Sequence, residues 1–218
     1  MTDTLHYIYD PLCGWCYAAE PLLEQLFEAL QAAAPAGLAV QLHGGGLFQR
    51  TQLPAATREH IRVADQRIGQ LSGQPFGDAY LNGLLADPAT IYDSAPTISA
   101  ILAAQALRPG SGPAMLKAIQ HAHYRAGRRV VEPQVLADLA ASIGLEQNAF
   151  SQAYEASIGA PTHRHVAGTR QLMDRTGVRG FPSFVLQTGE RLEPLRHEAY
   201  YGKPEAFALL VSERLRAA

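Results

Sequence analysis

The chain has two cysteines in its 218 residues, and they stand three positions apart in Cys13-Gly14-Trp15-Cys16. A disulfide closing so small a ring constrains little of an unfolded chain, so the pair is better suited to reaction than to stapling. At the start of a helix, unpaired backbone N–H groups and the helix dipole favour a thiolate over a thiol on the first sulfur. Cys13 is therefore the expected attacking sulfur and leaving group. Cys16, one turn further in, is the expected resolving thiol. Gly14 leaves room for another chain to approach, and Trp15 either forms an apolar lip beside the sulfur or packs facing solvent. Two plainer readings stand beside this one: inert cysteines, or half of a zinc site. A closed zinc site needs about four ligands. His6, His43, His163 and His165 are the only plausible complements, and no metal is expected.

A second segment, Gly180-Phe181-Pro182-Ser183-Phe184, carries a proline into a strand, where it forfeits a ladder hydrogen bond unless its geometry has a use. Pro182 either starts the strand in trans or follows a cis bond that turns the neighbouring backbone toward the sulfurs; with the cysteine pair upstream, cis is expected. The carbonyl and amide of Phe181 would then pair with an extended substrate chain, a recognition mode that tolerates many sequences.

The elements that must position these groups follow from periodicity. Leu5 to Tyr9 is an apolar and aromatic run of high strand propensity, stopped by Asp10-Pro11. From Cys13 to about Ala34 the period changes to that of a helix. Leu22, Leu23, Leu26, Phe27 and Leu30 form its stripe, Glu20, Glu24 and Glu28 line the other side, and Pro21 lies near the first turn or at a kink. Ala36-Gly37 closes it and Leu38 to Leu42 is the next strand, so the cysteines occupy a strand-to-helix junction. Gly44 to Gly159 is alanine-rich and reads as helices over Ala55 to Leu71, Phe76 to Leu85, Ser94 to Leu107, Pro113 to Arg125, Pro133 to Ile143 and Gln147 to Ala156, with no convincing strand. A further helix over His163 to Arg175, strands over Gly180 to Gln187 and Arg191 to Leu195, and a last helix over Pro204 to Leu215 complete the chain. The class is α/β: a thioredoxin-like domain from residues 1–43 and 160–218, interrupted by a helical subdomain at 44–159.

Eighteen Lys and Arg against twenty Asp and Glu leave a net charge of −2, which gives no support to a nucleic-acid or polybasic membrane surface. The first residues have neither a basic opening nor an apolar core with a cleavage site, and a cytoplasmic location is expected. Gly44-Gly45-Gly46 lacks the Lys-Ser/Thr ending of a phosphate loop, so nucleotide binding is rejected. Asp10, Glu20 and Glu24 are candidates for assisting proton movement from Cys16, although loop capping or solvent exposure is their commoner role. His163 and His165 read as a terminus and surface pair. His121, Arg125, Arg128 and Arg129 read as a solvated basic face.

Asp10-Pro11-Leu12-Cys13-Gly14-Trp15-Cys16-Tyr17 resembles the active-site segment of the DsbA-like thioredoxin-fold family. Gly177-Val178-Arg179-Gly180-Phe181-Pro182-Ser183-Phe184 resembles its Gly-Val-x-Gly-x-Pro-Ser/Thr-Phe loop, and the closest branch is that of cytoplasmic-type, FrnE-like members. The resemblance spans nearly the whole chain. It implies a thiol–disulfide oxidoreductase or isomerase with Cys13 as nucleophile, Cys16 as resolving cysteine, Pro182 as the cis-proline and Phe181 contributing backbone contacts. Protein and peptide thiols and disulfides are the implied partners, and the redox-active disulfide itself takes the place of a cofactor. The periplasmic oxidase of the family carries Pro-His where this chain has Gly14-Trp15, which removes one source of thiolate stabilisation and leaves the redox direction open. A related branch, the kappa-type glutathione transferases and 2-hydroxychromene-2-carboxylate isomerases, shares the helical insertion but typically presents serine at the nucleophile. Gly44-Gly45-Gly46 would admit a small thiol, so glutathione is kept as a partner and its chemistry as an alternative. A third alternative is a peptide-binding chaperone module without redox turnover. Trp15, Phe181, Leu47 and Phe48 are expected to border a shallow groove for a flexible peptide.

Overall fold

The computed structural model describes residues 3–32 and 38–216, except for the side chains of residues 30–32. The expected helix end near Ala34, its stop at Ala36-Gly37 and the Leu30 side chain lie outside the described residues. The chain runs β1 (Asp3–Tyr9), α1 (Gly14–Ala18), α2 (Glu20–Ala32), β2 (Leu38–Gly44), β3 (Thr51–Gln52), α3 (Ala55–Ser72), a π turn (Ala79–Leu84), β4 (Ile91–Tyr92) and α4 (Ser94–Leu107). It continues with α5 (Gly112–Tyr124), α6 (Pro133–Ser142), α7 (Gln147–Ser157), α8 (Ala160–Thr176), β5 (Ser183–Thr188), β6 (Arg191–Leu195), a 3-10 turn (Glu198–Tyr200) and α9 (Pro204–Arg216).

The main sheet has the order β2-β1-β5-β6, with β1 parallel to β2 and antiparallel to β5. β1 is therefore central and covered on both faces, which is why Leu5 to Tyr9 reads as a continuous apolar run rather than an alternating one. Leu5 opposes Leu186 and Tyr7 opposes Phe184, which sends these four side chains to one face, where Leu22 and Leu26 of α2 and Phe207 and Val211 of α9 join the same core. Ile8 and Val185 face the other way, into a smaller cluster with Leu172 and Met173 of α8. The two helical layers hold β1 rigid up to Tyr9, and the active segment begins one residue later.

The single helix expected from Cys13 onward is instead two, broken at Ala19. Pro21 has no N–H to donate to Tyr17, and the Tyr17 carbonyl takes the Gln74 side-chain amide at 3.3 Å instead. The Cys16 carbonyl likewise accepts the Tyr7 hydroxyl at 3.3 Å. Each carbonyl at the break thus has a side-chain donor, one from the sheet and one from the insertion.

The insertion is not free of strands: β3 and β4 pair antiparallel, Thr51 opposite Tyr92 and Gln52 opposite Ile91. Strands of two residues contain no alternation to read, and no periodicity could have marked them. The helix expected over Phe76 to Leu85 is a π turn beginning at Ala79, and the one expected from His163 starts at Ala160. α4 is the axis of the subdomain; Asp93 caps it by accepting the Ala95 N–H at 3.1 Å, and Ser94, Thr97, Ile98, Ala100, Ile101, Ala103 and Ala104 are all buried. Small residues around its circumference let α5 and α7 pack close on either side.

The basic residues read as a solvated face do reach solvent, Arg125 being exposed and the Arg128 and Arg129 pairs partly so, but each also ties two elements together. His121 Nε2 lies 2.8 Å from Glu20 Oε2, Arg125 donates to the Tyr17 hydroxyl at 2.7 Å, Arg128 pairs with Asp138 at 2.9 Å, and Arg129 pairs with Asp87. Glu24 pairs with Lys117. Glu20 and Glu24 are thereby committed to α5 and are not arranged as a proton relay for Cys16.

Candidate active site

Asp10 to Cys13 form a tight turn: the Cys13 N–H donates to the Asp10 carbonyl at 3.2 Å, with Pro11 at the second position, where its fixed φ suits the turn. Asp10 is fully buried, and its carboxylate accepts the Leu12 N–H at 3.0 Å, the Ser94 hydroxyl at 3.0 Å and the Leu47 N–H at 2.7 Å. Burial pushes its pKa up, while the bonds from Leu47, Leu12 and Ser94 act to lower it. This side chain ties the active turn to the insertion. Its backbone N–H points to the Cys16 sulfur at 3.3 Å.

Cys13 is the N-cap of α1, with extended backbone (φ −98°, ψ 119°), and its carbonyl accepts the N–H groups of Cys16 at 2.9 Å and Tyr17 at 3.1 Å. Its thiol is partly exposed, whereas Cys16 is completely buried. Burial pushes the Cys16 pKa up first of all, and its hydrogen bond to the Cys13 sulfur raises it further. The arrangement is asymmetric: one sulfur can meet a substrate, and the other is a neutral thiol held beneath it.

The Phe181–Pro182 peptide is cis, and the Phe181 carbonyl accepts the Cys13 thiol at 3.5 Å. The Phe181 ring fills the space over Gly45, where an added Cβ would lie 2.0 Å from ring carbons. The Arg170 guanidinium lies 5.0 Å from the ring centroid, and Arg170 also donates to the Gly46 carbonyl at 3.0 Å. The space over Gly45 is thus taken by the protein's own ring, and Gly44 and Gly46 face Ile98 and Val166, rather than leaving room for a small thiol. Trp15 stacks obliquely on Tyr201, with centroids 5.0 Å apart, and the Tyr201 hydroxyl donates to the Trp15 carbonyl at 3.4 Å. Trp15, Phe181, Pro182, His197 and Tyr201 line a groove of about 590 Å³. Leu47 and Phe48 do not line this groove: the Leu47 side chain is 44% exposed, and Phe48 lines a separate one with Arg50 and Val166.

Gly14 has a different neighbour from the one expected. An added Cβ there would lie 2.3 Å from Oδ1 of Asp65, so the close approach is made by an α3 carboxyl group and not by a second chain. Asp65 is buried, accepts the Tyr80 hydroxyl at 2.7 Å, and has its pKa pushed up to about 7, burial outweighing that bond. A carboxyl group whose folded pKa exceeds its unfolded value favours the fold most below the unfolded value, and this contribution is lost as pH rises through about 7. Asp65→Asn keeps an acceptor for Tyr80 and removes the buried charge. It should stabilise the protein by about 2 kcal/mol at pH 8 and by little at pH 4. Urea midpoints at the two pH values check this, and an equal change at both would contradict it.

His6, His43 and His165 gather on the α8 face of the sheet. His6 Nδ1 lies 2.9 Å from His43 Nε2, and His165 Nε2 accepts the Gly44 N–H at 2.9 Å. His165 is therefore an anchor for the end of β2 and not half of a surface pair. Burial lowers the pKa of His43 to about 4 and that of His165 as well. Among the described residues no group of three or more His, Cys, Asp or Glu side chains could hold a metal ion.

Residues 4–198 match the family model described as a DSBA-like thioredoxin domain, and the chain belongs to that family. It is a thiol–disulfide oxidoreductase with a DsbA-like thioredoxin fold, and its redox group is a cysteine pair rather than a separate cofactor. The cytosolic disulfide reductase DsbM from Pseudomonas aeruginosa is 46% identical, with 99% of this chain and 100% of that one covered and a TM-score of 0.89. A second structure of that protein, described as with GSH, is 46% identical, with 98% and 99% coverage and a TM-score of 0.87. A 2-hydroxychromene-2-carboxylate isomerase, 16% identical with 99% of each chain covered and a TM-score of 0.58, shares the fold. No curated protein sequence matches the chain. Among the described residues no helix is long and apolar enough to cross a membrane.

Asp65, Arg170 and Tyr201 were not among the residues singled out from sequence. Asp65 and Tyr201 act on the active segment from more than forty positions away, Arg170 acts on Phe181 from the preceding helix, and no local motif marks any of them.

Proposed function

We propose that the protein is a cytoplasmic reductase of disulfides in proteins and peptides, with Cys13 as nucleophile, Cys16 as resolving thiol, and glutathione as the small thiol that returns the electrons. Trp15, Phe181 and Pro182 form the substrate-binding edge, and Gly14 supports it from behind by letting Asp65 pack against the active turn. In this reading residues 1–43 and 160–218 are the thioredoxin-like domain, and residues 44–159 are the inserted subdomain. The observation that carries it is the asymmetry of the pair: an accessible Cys13 sulfur 3.5 Å from the Phe181 carbonyl, above a sealed Cys16 thiol. The reducing direction is supported by the 46% identical relative described as a cytosolic disulfide reductase. It is also supported by the cysteine surroundings: among the described residues no Lys, Arg or His side chain hydrogen-bonds either sulfur, and a cation there would stabilise the reduced form and make the pair more oxidising.

The Cys13 thiolate attacks one sulfur of a substrate disulfide, forms a mixed disulfide and expels the other sulfur as a thiolate. Cys16 gives up its proton to solvent and attacks Cys13, closing the internal disulfide and releasing the second substrate sulfur. Two electrons have passed to the substrate. A glutathione thiolate then opens the internal bond at Cys13, and Cys16 leaves and takes up a proton. A second glutathione attacks the bound glutathione sulfur, freeing Cys13 and glutathione disulfide.

Equilibration of the pair in glutathione buffers, read by alkylation and mass, tests the direction. The expected potential lies nearer the roughly −270 mV of thioredoxin than the roughly −120 mV of DsbA. A value at the oxidising end would overturn the reductase reading. Cys16→Ser should also accumulate a mixed disulfide, seen as a mass adduct that dithiothreitol removes; no adduct with any of a panel of disulfides would argue against Cys16 as the resolving thiol.

A further inference from the structure

The groove beside Cys13 carries charge that the fold does not use. Arg179 reaches it from the loop before Phe181, Lys203 from the residue before α9, and Glu198 from the start of the 3-10 turn. All three are exposed, and among the described residues none forms an ion pair or a side-chain hydrogen bond. Arg125, Arg128, Arg129 and Lys117, by contrast, are each engaged in holding helices together. The three free charges come from different elements and converge on one concavity. Trp15, Phe181 and Tyr201 line it beside the charges, together with the buried His197. Its volume of about 590 Å³ falls within the roughly 300–1,000 Å³ of small-ligand clefts.

Two cations and one anion beside these rings call for the complementary ligand: two anions and one cation on a short, flexible backbone. We infer that this groove selects a thiol peptide bearing two carboxylates and one ammonium group, with Arg179 and Lys203 each receiving a carboxylate and Glu198 the ammonium. Glutathione is such a peptide, so the inference rests on the proposed electron donor and assigns the side chains that recognise it. Arg179 can take a carboxylate through two parallel N–H donors, and Lys203 offers a compact point charge at the start of a helix whose dipole has the same sign. The thiol of a peptide so held lies over Trp15 and the Phe181 backbone, beside the Cys13 sulfur. The charges discriminate among thiols, and the cysteine pair supplies the chemistry.

The test compares rates of reduction of the Cys13–Cys16 disulfide by three thiols: glutathione, glutathione diethyl ester and uncharged 2-mercaptoethanol. In the wild type, glutathione should exceed the diester by about tenfold or more in second-order rate constant, one tenfold step for each 1.4 kcal/mol of lost interaction. The ratio of the glutathione constant to that of 2-mercaptoethanol should fall about five- to tenfold in Arg179→Ala and in Lys203→Ala, and several-fold in Glu198→Gln. Arg164→Ala, an exposed arginine outside the groove, should leave that ratio where it is. A ratio unmoved by Arg179→Ala and Lys203→Ala, or a diester that reacts as fast as glutathione, overturns the assignment. Reduction by 2-mercaptoethanol with none by glutathione overturns both the groove assignment and glutathione as donor while leaving the oxidoreductase intact. Failure of every thiol would count against the redox pair itself.

Discussion

Cys13→Ser lowers disulfide exchange by at least about 10³-fold, because the loss of a nucleophile that no neighbouring group can replace removes the bond-forming step itself. A serine hydroxyl is not ionised near neutral pH and forms no exchangeable bond to sulfur. The geometry leaves no substitute: Cys16 has no exposed surface, and burial and its neighbours push its pKa up, so it stays a protonated thiol out of reach of a substrate. The substitution exchanges one atom for a slightly smaller one at a partly exposed position, so the fold should persist, and far-ultraviolet circular dichroism can establish that it does. The decisive measurement is reduction of a protein disulfide with glutathione in excess. Turnover at the wild-type level would remove Cys13 from the mechanism. Alkylation adds a second readout: in folded Cys13→Ser the remaining thiol should react with iodoacetamide only as fast as the protein opens, and denaturant should release it.

What the sequence disclosed is what local pattern can carry. The cysteine spacing, the strand before it, the stripe of α2 and the proline at position 182 are each set within a dozen residues, and the structure unites them although 168 positions separate Cys13 from Phe181. The break at Ala19 was half legible: Pro21 announced a missing donor, but not that Gln74 and Tyr7 would take the freed carbonyls and so make a full break stable. Charge was the least legible feature. Spacing alone shows that His121, Arg125, Arg128 and Arg129 can reach the surface, but not that each also pairs with a group on another element, Glu20, Tyr17, Asp138 and Asp87. The same reasoning hid Asp65. A carboxylate in the middle of α3 reads as solvated until the fold presses it against Gly14. Gly14 and Gly45 had a signal of their own, since a glycine marks a close approach, but the sequence could not say by what.

Gly45→Ala, far from either sulfur in sequence, should cost about 3 kcal/mol of stability and on the order of 10²-fold in kcat/KM, overpacking supplying the first and a displacement of about 1 Å the second. The added methyl would sit 2.0 Å from two carbons of the Phe181 ring, where contact normally needs well over 3 Å. Neither party can yield freely. Gly45 is held by the hydrogen bond from its N–H to the Tyr9 carbonyl at 2.8 Å, at the rigid end of β1, and the ring is engaged by the Arg170 guanidinium 5.0 Å from its centroid. Phe181 must therefore move with its backbone, and its carbonyl, 3.5 Å from the Cys13 sulfur, is the edge on which a substrate chain is proposed to lie. Shortening the ring separates this account from a general loss of fold. In Gly45→Ala/Phe181→Leu the clash is relieved, so the double variant should be more stable than Gly45→Ala alone, with a coupling of about 1 kcal/mol or more. Urea denaturation of the two single variants and the double variant measures that coupling directly. Additive effects would mean that the ring and the glycine do not press on each other, and the positioning of the Phe181 edge would then have to come from elsewhere.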